Sequence, residues 1–397
     1  MTLRAVMVGA ALVLAAAPLG ACGGSAKTAS KRAHPPAIAP VGGRQGSRHP
    51  AGNGVSATYG VPPLLDPHNV YAADRSGALA PVARHFRSLI YVPNSASNTV
   101  DEINPANYRI VRQFPVGGLP QHVVPSYDLR TLWVTNDNGN SLTPINPISG
   151  RPGRAVPVAD PYNMYFSPDG RYAMVMAERL RRIDFREANT MKLHHSLNVP
   201  GCAGVNHADF TADGRYMFVS CEFAARMIVV DVARERLVRT VPVRAGSSPQ
   251  DVKLSPDGRV FYVADLTYGG VWKFDARTFR RLGFVKTGTG AHGLYPSRDA
   301  RNLYVSNRGA GTVSVIRFST GRVSSTWSIP GGSPDMGGVS ASGRVLWLAG
   351  RYDAAVYAIS TRTGKLIRRV PVGLGPHGLC VYPQPGRYSL GHTGVMR

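Results

Sequence analysis

A repeat limits this chain more than any other feature. Apolar runs that end in a small polar residue return along it, as in Tyr91-Val92-Pro93-Asn94, Trp133-Val134-Thr135-Asn136 and Tyr304-Val305-Ser306-Asn307. Anchored on Val92, Val134, Val175, Val219, Val263, Val305 and Leu348, the spacings are 42, 41, 44, 44, 42 and 43 residues. A unit of that size cannot bury its own apolar face, so successive units must stack. Each unit has the same internal order. A turn containing proline leads into an apolar strand such as Val252-Lys253-Leu254. A tight turn such as Asp169-Gly170, Asp213-Gly214 or Asp257-Gly258 feeds the second strand. A third strand follows, of the type Thr312-Val313-Ser314-Val315-Ile316, and then a fourth, as in residues 237–243.

Four short strands in about 43 residues is the arithmetic of a propeller blade. No stretch keeps a 3.6-residue period through a unit, which excludes a helical solenoid. The 44 glycines and 31 prolines among 397 residues suit a turn-rich β protein. Complete units run from about residue 119 to residue 372, preceded by three strands over about 88–114. His377-Gly378-Leu379-Cys380-Val381-Tyr382 is one more first-type strand. Placed beside those three, it closes the ring and removes its edges. The expectation is an all-β, seven-bladed propeller of four-stranded antiparallel blades, closed by a C-terminal inner strand completing the N-terminal blade. Asn69-Val70-Tyr71 and Tyr388-Ser389-Leu390 leave eight blades as the alternative.

The Tyr-Val-x-Asn segments resemble the Tyr-Val-Thr-Asn (YVTN) repeat family of seven-bladed, YncE-like propellers over roughly residues 60–397. The resemblance implies an exported protein and a fold, and little about activity. Propellers similar to this family include lactonase-like enzymes and the haem d1 domain of nitrite reductase.

The first residues read as an address. A short basic start is followed by an apolar run over residues 5–19, too short to span a bilayer and suited to a signal peptide. It ends in Leu19-Gly20-Ala21-Cys22, which resembles a bacterial lipobox. Residues 1–21 are therefore expected to be a lipoprotein signal peptide and Cys22 the acylated first residue. Residues 22–59 are expected to be a flexible basic tether, carrying Lys27, Lys31, Arg32, Arg44 and Arg48 and no acidic residue. Residues 60–397 form the propeller. The expected location is the outer or periplasmic side of the cell membrane, held by lipid, as a monomer. An envelope protein, peptide or glycan is the expected kind of partner. The net charge of +23 does not indicate nucleic acid, because it is thinly spread and no recognition motif accompanies it.

Besides Cys22 there are Cys202, Cys221 and Cys380. Cys202 precedes the fourth blade's inner strand and Cys221 ends its second strand. Both points open on one face, so a disulfide between them is expected. Cys380, inside the closing strand, is expected to be a buried free thiol.

That same face holds the candidate site. Aligned at the start of the inner strands stand Gln121, Tyr162, Asn206, Gln250, His292, Asp335 and His377, and one residue later His122, Asn163, His207, Asp251, Gly293, Met336 and Gly378. Four of the chain's 11 histidines fall in these two rings. A wider ring at the ends of the second strands holds Asn94, Asn136, Glu178, Glu222, Asp265, Asn307 and Arg351. The candidate ligand-binding residues are His122, His207, Asp251, His292, His377, Glu222, Asp265 and Arg351. Carboxylates beside imidazoles could bind a divalent metal ion or form an acid–base pair. The tail motif Gly391-His392-Thr393-Gly394 is read as packing. No hydrolase or nucleotide-binding motif is present, so no catalytic residue is assigned. The main functional reading is a binding or scaffold protein that is not an enzyme. The alternative is a lactonase-like or metal-assisted lyase or hydrolase acting at the channel mouth, and a lesser one is a haem or other redox cofactor.

Overall fold

The computed structural model describes residues 60–392 and 394–397. The signal peptide, Cys22 and the tether lie outside the described residues. Seven sheets radiate around a central channel, as the spacing requires. Blade 1 pairs Leu89–Asn94, Thr99–Asn104 and Arg109–Pro115 with the C-terminal Cys380–Tyr382. The closing register sets Leu89 against Tyr382, Ile90 against Val381 and Tyr91 against Cys380. Blades 2 to 7 follow in chain order. Their innermost strands are Pro120–Pro125, Pro161–Phe166, Val205–Phe210, Pro249–Leu254, Ala291–Pro296 and Pro334–Val339. In blade 2 the outermost strand is split into Arg151–Pro152 and Val156–Pro157. Prolines, which cannot donate to a ladder, are tolerated on such an edge.

The second-strand motif has a physical reading. In blades 2 to 7 the register between inner and second strand slips by a bulge at the two mouth positions. A bulge sets two residues against one, so consecutive side chains can both turn toward the channel instead of alternating. It also frees backbone N–H groups from the ladder. Thr135, Ser220 and Ser306 accept from the N–H groups of His122, His207 and Gly293 at 3.0, 3.1 and 2.8 Å. The following Asn ties the second strand to the third. Asn136 donates to Ser141 and Thr143, and Asn307 to Thr312 and Ser314.

The core fills the gaps between blades, with Phe218, Phe261, Phe274 and Phe279 stacked between blades 4 and 5. The exposed outer strands carry Arg109, Arg112, Arg236, Arg239, Arg281, Arg368 and Arg369. Cations there protect unpaired edges against strand addition and account for part of the basic charge.

Neither suspected extra strand forms an eighth blade. Residues 60–88 cross the end of the channel opposite the mouth. Val70 donates to Pro256 O at 2.8 Å and Gly77 to Ala341 O at 3.0 Å. Asp74 pairs there with Arg298, both buried. The C-terminal tail lies against the inner strand of blade 3, with an antiparallel bridge between Tyr165 and Gly391. Tyr388 stacks on Tyr127 at 5.0 Å, and Arg397 pairs with Asp209 at 2.9 Å. The termini thus close one end of the channel and leave a cup.

Candidate metal centre

The tail sets His392 at the floor of that cup. Gly391, at φ +103°, makes the approach feasible, since a Cβ there would lie 2.4 Å from Tyr165 Cα. The His392 backbone donates to Met164 O at 2.8 Å. Its ring lies 5.2 Å from that of His122 and 5.1 Å from that of His207, centroid to centroid. Gly378 makes room for His122, because a Cβ on it would sit 2.1 Å from the imidazole. His122, His207 and His392 are each no more than 1% exposed, and one ring nitrogen of each lies within 4.8 Å of the others. The Nε2 atoms of all three have no hydrogen-bond partner. Burial holds all three well below the ordinary histidine range, reinforced by neighbouring imidazoles at His122 and His207 and by Lys253 and then the imidazoles at His392. They are neutral at physiological pH, the form that ligates metals. A buried His-His-His cluster able to coordinate a divalent metal ion is therefore present.

Tautomers decide which way the lone pairs point. His122 Nδ1–H donates to Tyr162 O at 3.0 Å, which leaves Nε2 as the bare nitrogen. Asn163 stands between the other two, its Nδ2 at 3.2 Å from His207 Nδ1 and 3.0 Å from His392 Nδ1. As a donor it places their protons on Nε2. Nδ2 can only donate and Oδ1 already accepts from Met164 N at 2.8 Å, so an acceptor in place of this amide is needed to free both Nε2 lone pairs, the arrangement metal-bound histidines favour. Replacing Asn163 by Asp should therefore tighten divalent-metal binding by about tenfold or more, read by competition with a chelating dye. Unchanged or weaker binding would show that Asn163 does not select the tautomer.

A second group lies across the channel. Asp335 Oδ2 accepts from His377 Nδ1 at 2.7 Å, while Oδ1 faces His292 Nδ1 at 3.2 Å and Arg308 at 3.3 Å. Burial opposes ionisation of Asp335, yet His292, Arg308 and His377 together hold it well below the usual carboxylate range. His377 Nε2 reaches toward the Tyr162 hydroxyl at 3.4 Å. Burial keeps His377 below its ordinary value although Asp335 pulls the other way. Glu178, at the rim, is pushed up to about 8 by burial and by Glu222, Asp137 and Asp160. Its Oε1 is buried with no partner.

The sequence-derived candidates thus divide. His122 and His207 enter the triad, and His292 and His377 flank Asp335. Asp251 lies below, paired with Lys253 at 3.1 Å and with Oδ1 3.7 Å from His392 Nε2. Glu222 accepts from Asn206 at 2.7 Å, and Arg351 stands on the rim. Asp265 is held within its own blade, accepting from Trp272 Nε1 at 2.7 Å and Tyr268 N at 2.9 Å. The Asn members of the wider ring are likewise tied to their third strands. Sequence reasoning undervalued His392, and it named Asn163 and Asp335 without assigning them roles. The Cys202–Cys221 disulfide is formed and Cys380 is free and buried. The bond closes a loop of about 19 residues around His207, a constraint of about 3 kcal/mol. A larger cleft, about 680 Å³, lies elsewhere and includes Tyr172, His194 and Glu235, but Glu235 already binds His194 and His195 at 3.3 and 2.9 Å.

The expectation of a scaffold that is not an enzyme is corrected by the triad. A purely structural channel filling does not need three fully buried imidazoles side by side, each bringing a ring nitrogen within 4.8 Å of the others.

The profile of the YncE-like beta-propeller family matches residues 61–386. No curated protein sequence matches the chain significantly. Among solved structures, the chain is similar to Kuenenia stuttgartiensis hydrazine synthase, at TM-score 0.60 and 16% identity over 71% of this chain and 97% of that one. It is similar to the dihydro-haem d1 dehydrogenase NirN, at TM-score 0.56 and 15% identity over 81% and 79%. It is also similar to a candidate 6-phosphogluconolactonase from Bacteroides uniformis, at TM-score 0.61 and 18% identity over 74% and 99%. At such identities the likeness is one of fold.

Proposed function

The chain belongs to the YncE-like β-propeller family, and from that premise we propose that it is a metal-dependent hydrolase of lactones or related esters working at the closed end of the cup. The observation that carries the reading is the buried triad of His122, His207 and His392, one ring nitrogen of each lying within 4.8 Å of the others. The donor set is that of a three-histidine catalytic site, which keeps a position open.

When bound, the ion supplies a Lewis acid to polarise the ester carbonyl. The chain's own residues do the rest. His377, oriented by Asp335 through Nδ1, takes a proton from water at Nε2 as the oxygen adds to the carbonyl carbon. The ring C–O bond then breaks, and the leaving oxygen receives a proton from His377 or from Glu178, giving a hydroxy acid. The fold shared with a candidate lactonase supports testing lactones first. Read with Leu19-Gly20-Ala21-Cys22, the proposal places the site outside the membrane on a lipid-held chain.

Elemental analysis of the purified full chain, paired with hydrolysis of a lactone panel followed by proton release, tests the reading. The expected result is about one divalent ion per chain and turnover that a chelator removes and the ion restores. Absence of both retained metal and turnover on metal addition would overturn it.

A further inference from the structure

The mouth of the cup is electrically lopsided. On the side of blades 6 and 7 stand Arg308 and Arg351, each the residue directly after its second strand and so at the same position of successive repeats. Arg308 Nη1 contacts Asp335, and its guanidinium lies 5.4 Å from the centre of the Tyr352 ring. Arg351 Nη1 donates to the Ser95 hydroxyl at 3.0 Å and Gly375 O at 3.1 Å. Among the described residues, the Nε and Nη2 groups of both make no protein hydrogen bond, and none is a buried orphan. Both residues are half-buried at the mouth, the Arg308 side chain 13% exposed. Arg179, on the opposite side, differs. It is committed to Asp160 at 2.7 Å and Asp137 at 3.3 Å. The carboxyls on that side, Glu178 and Glu222, are shifted toward the neutral form, Glu178 by burial and nearby acids, Glu222 by burial.

We infer that Arg308 and Arg351 form an oxyanion clamp, and that the substrate carries a carboxylate or phosphate group which they hold while the ester reaches the histidines. A guanidinium presents paired N–H donors in a fork matched to such groups. Each arginine is anchored through Nη1, and Arg308 also rests on the Tyr352 ring, so little side-chain entropy is lost when the anion docks. Both charges act on His292 and His377, which places them on one common site rather than on separate surfaces. Tyr352, 73% exposed, supports Arg308 from the rim. The identity of the substrate as an anionic ester rests on the hydrolase reading, whereas the clamp itself does not.

The test is titration of the full chain with inorganic phosphate and, separately, with acetate, by calorimetry at low salt. Saturable binding of at least one is expected, and comparison of the two tells whether phosphate or carboxylate fits better. Arg351→Gln should weaken it about tenfold. So should Arg308→Gln, with Arg308→Lys as the variant that keeps the charge balancing Asp335. Arg322→Gln, on the outer edge of blade 6, should change nothing. Binding of neither anion, or unchanged binding in folded Arg351 and Arg308 variants, would overturn the clamp. Metal content measured on the same samples separates the two ideas. Anion binding by a chain that neither retains metal nor turns over lactones when metal is added removes the hydrolase and keeps the clamp, and metal without anion binding removes only the clamp.

Discussion

His392→Ala should empty the metal centre while leaving the propeller folded. The substitution leaves His122 and His207, two ligands where a catalytic site needs three from the protein. Retained metal should fall from about one ion per chain to near none after dialysis. The scaffold should survive, because the blades are closed by Cys380–Tyr382, upstream of the tail. The tail keeps its other anchors, the Phe166 N–H donated to Leu390 O at 2.9 Å and the Arg397–Asp209 pair. The loss is to be read as metal per chain beside a thermal melt. A folded variant that keeps its full metal complement would remove His392 from the ligand set. Deleting residues 388–397 should give the same metal loss with a larger drop in melting temperature, since Tyr388, Leu390 and Val395 leave the core between blades 3 and 4.

The fold was legible because each blade repeats a local chemistry. Turns such as Ser255-Pro256-Asp257-Gly258 close by hydrogen bonds that any single unit can specify, and the period then fixes the number of blades. The two mouth rings were legible for the same reason, as equivalent positions of aligned units. His392 was hidden because it lies beyond the closing strand, where no period assigns it a place. Only the glycines around it hinted at a close approach. The wider ring misled in the other direction. Asn136, Asn307 and Asp265 have the side chains of ligands, but strand ends use those same groups to bind backbone and neighbouring hydroxyls. Residue type at a repeat position says where a side chain starts, and only its partners say whether it is free to act.

Two carboxyls at the mouth should answer substitution in opposite directions. Asp335→Asn strips the acceptor from His377 and leaves Arg308 without its buried counter-charge. Removing one partner of a buried pair costs about 3–5 kcal/mol. Asp335 is held well below the usual range by His292, Arg308 and His377 against the cost of burial, so it stays ionised in folded and unfolded chains from about pH 5 to 8. The deficit should be nearly flat above about pH 6.5 and grow below it, because Asp335 also favours the protonated forms of His292 and His377. Glu178 is the reverse, raised from 4.5 to about 8 by burial and by Glu222, Asp137 and Asp160. Below pH 4.5 it is neutral in both states, and Glu178→Gln should be neutral for stability. As pH rises from 4.5 toward 8 the unfolded chain ionises this group while the folded chain does not, so the wild type loses stability and the variant does not. At pH 7 the variant should be more stable by roughly 2 kcal/mol, after allowance for solvent at the partly open carboxyl. If Glu178 also passes the proton to the leaving oxygen, the same substitution should lower turnover while raising stability, the trade expected of a group kept protonated for its chemistry. Chemical denaturation of both variants at several pH values between 4.5 and 8 decides it. A pH-independent effect of Glu178→Gln, or a deficit of Asp335→Asn that slopes above about pH 6.5, would reverse the assignment of which carboxyl is the proton carrier and which is the fixed charge.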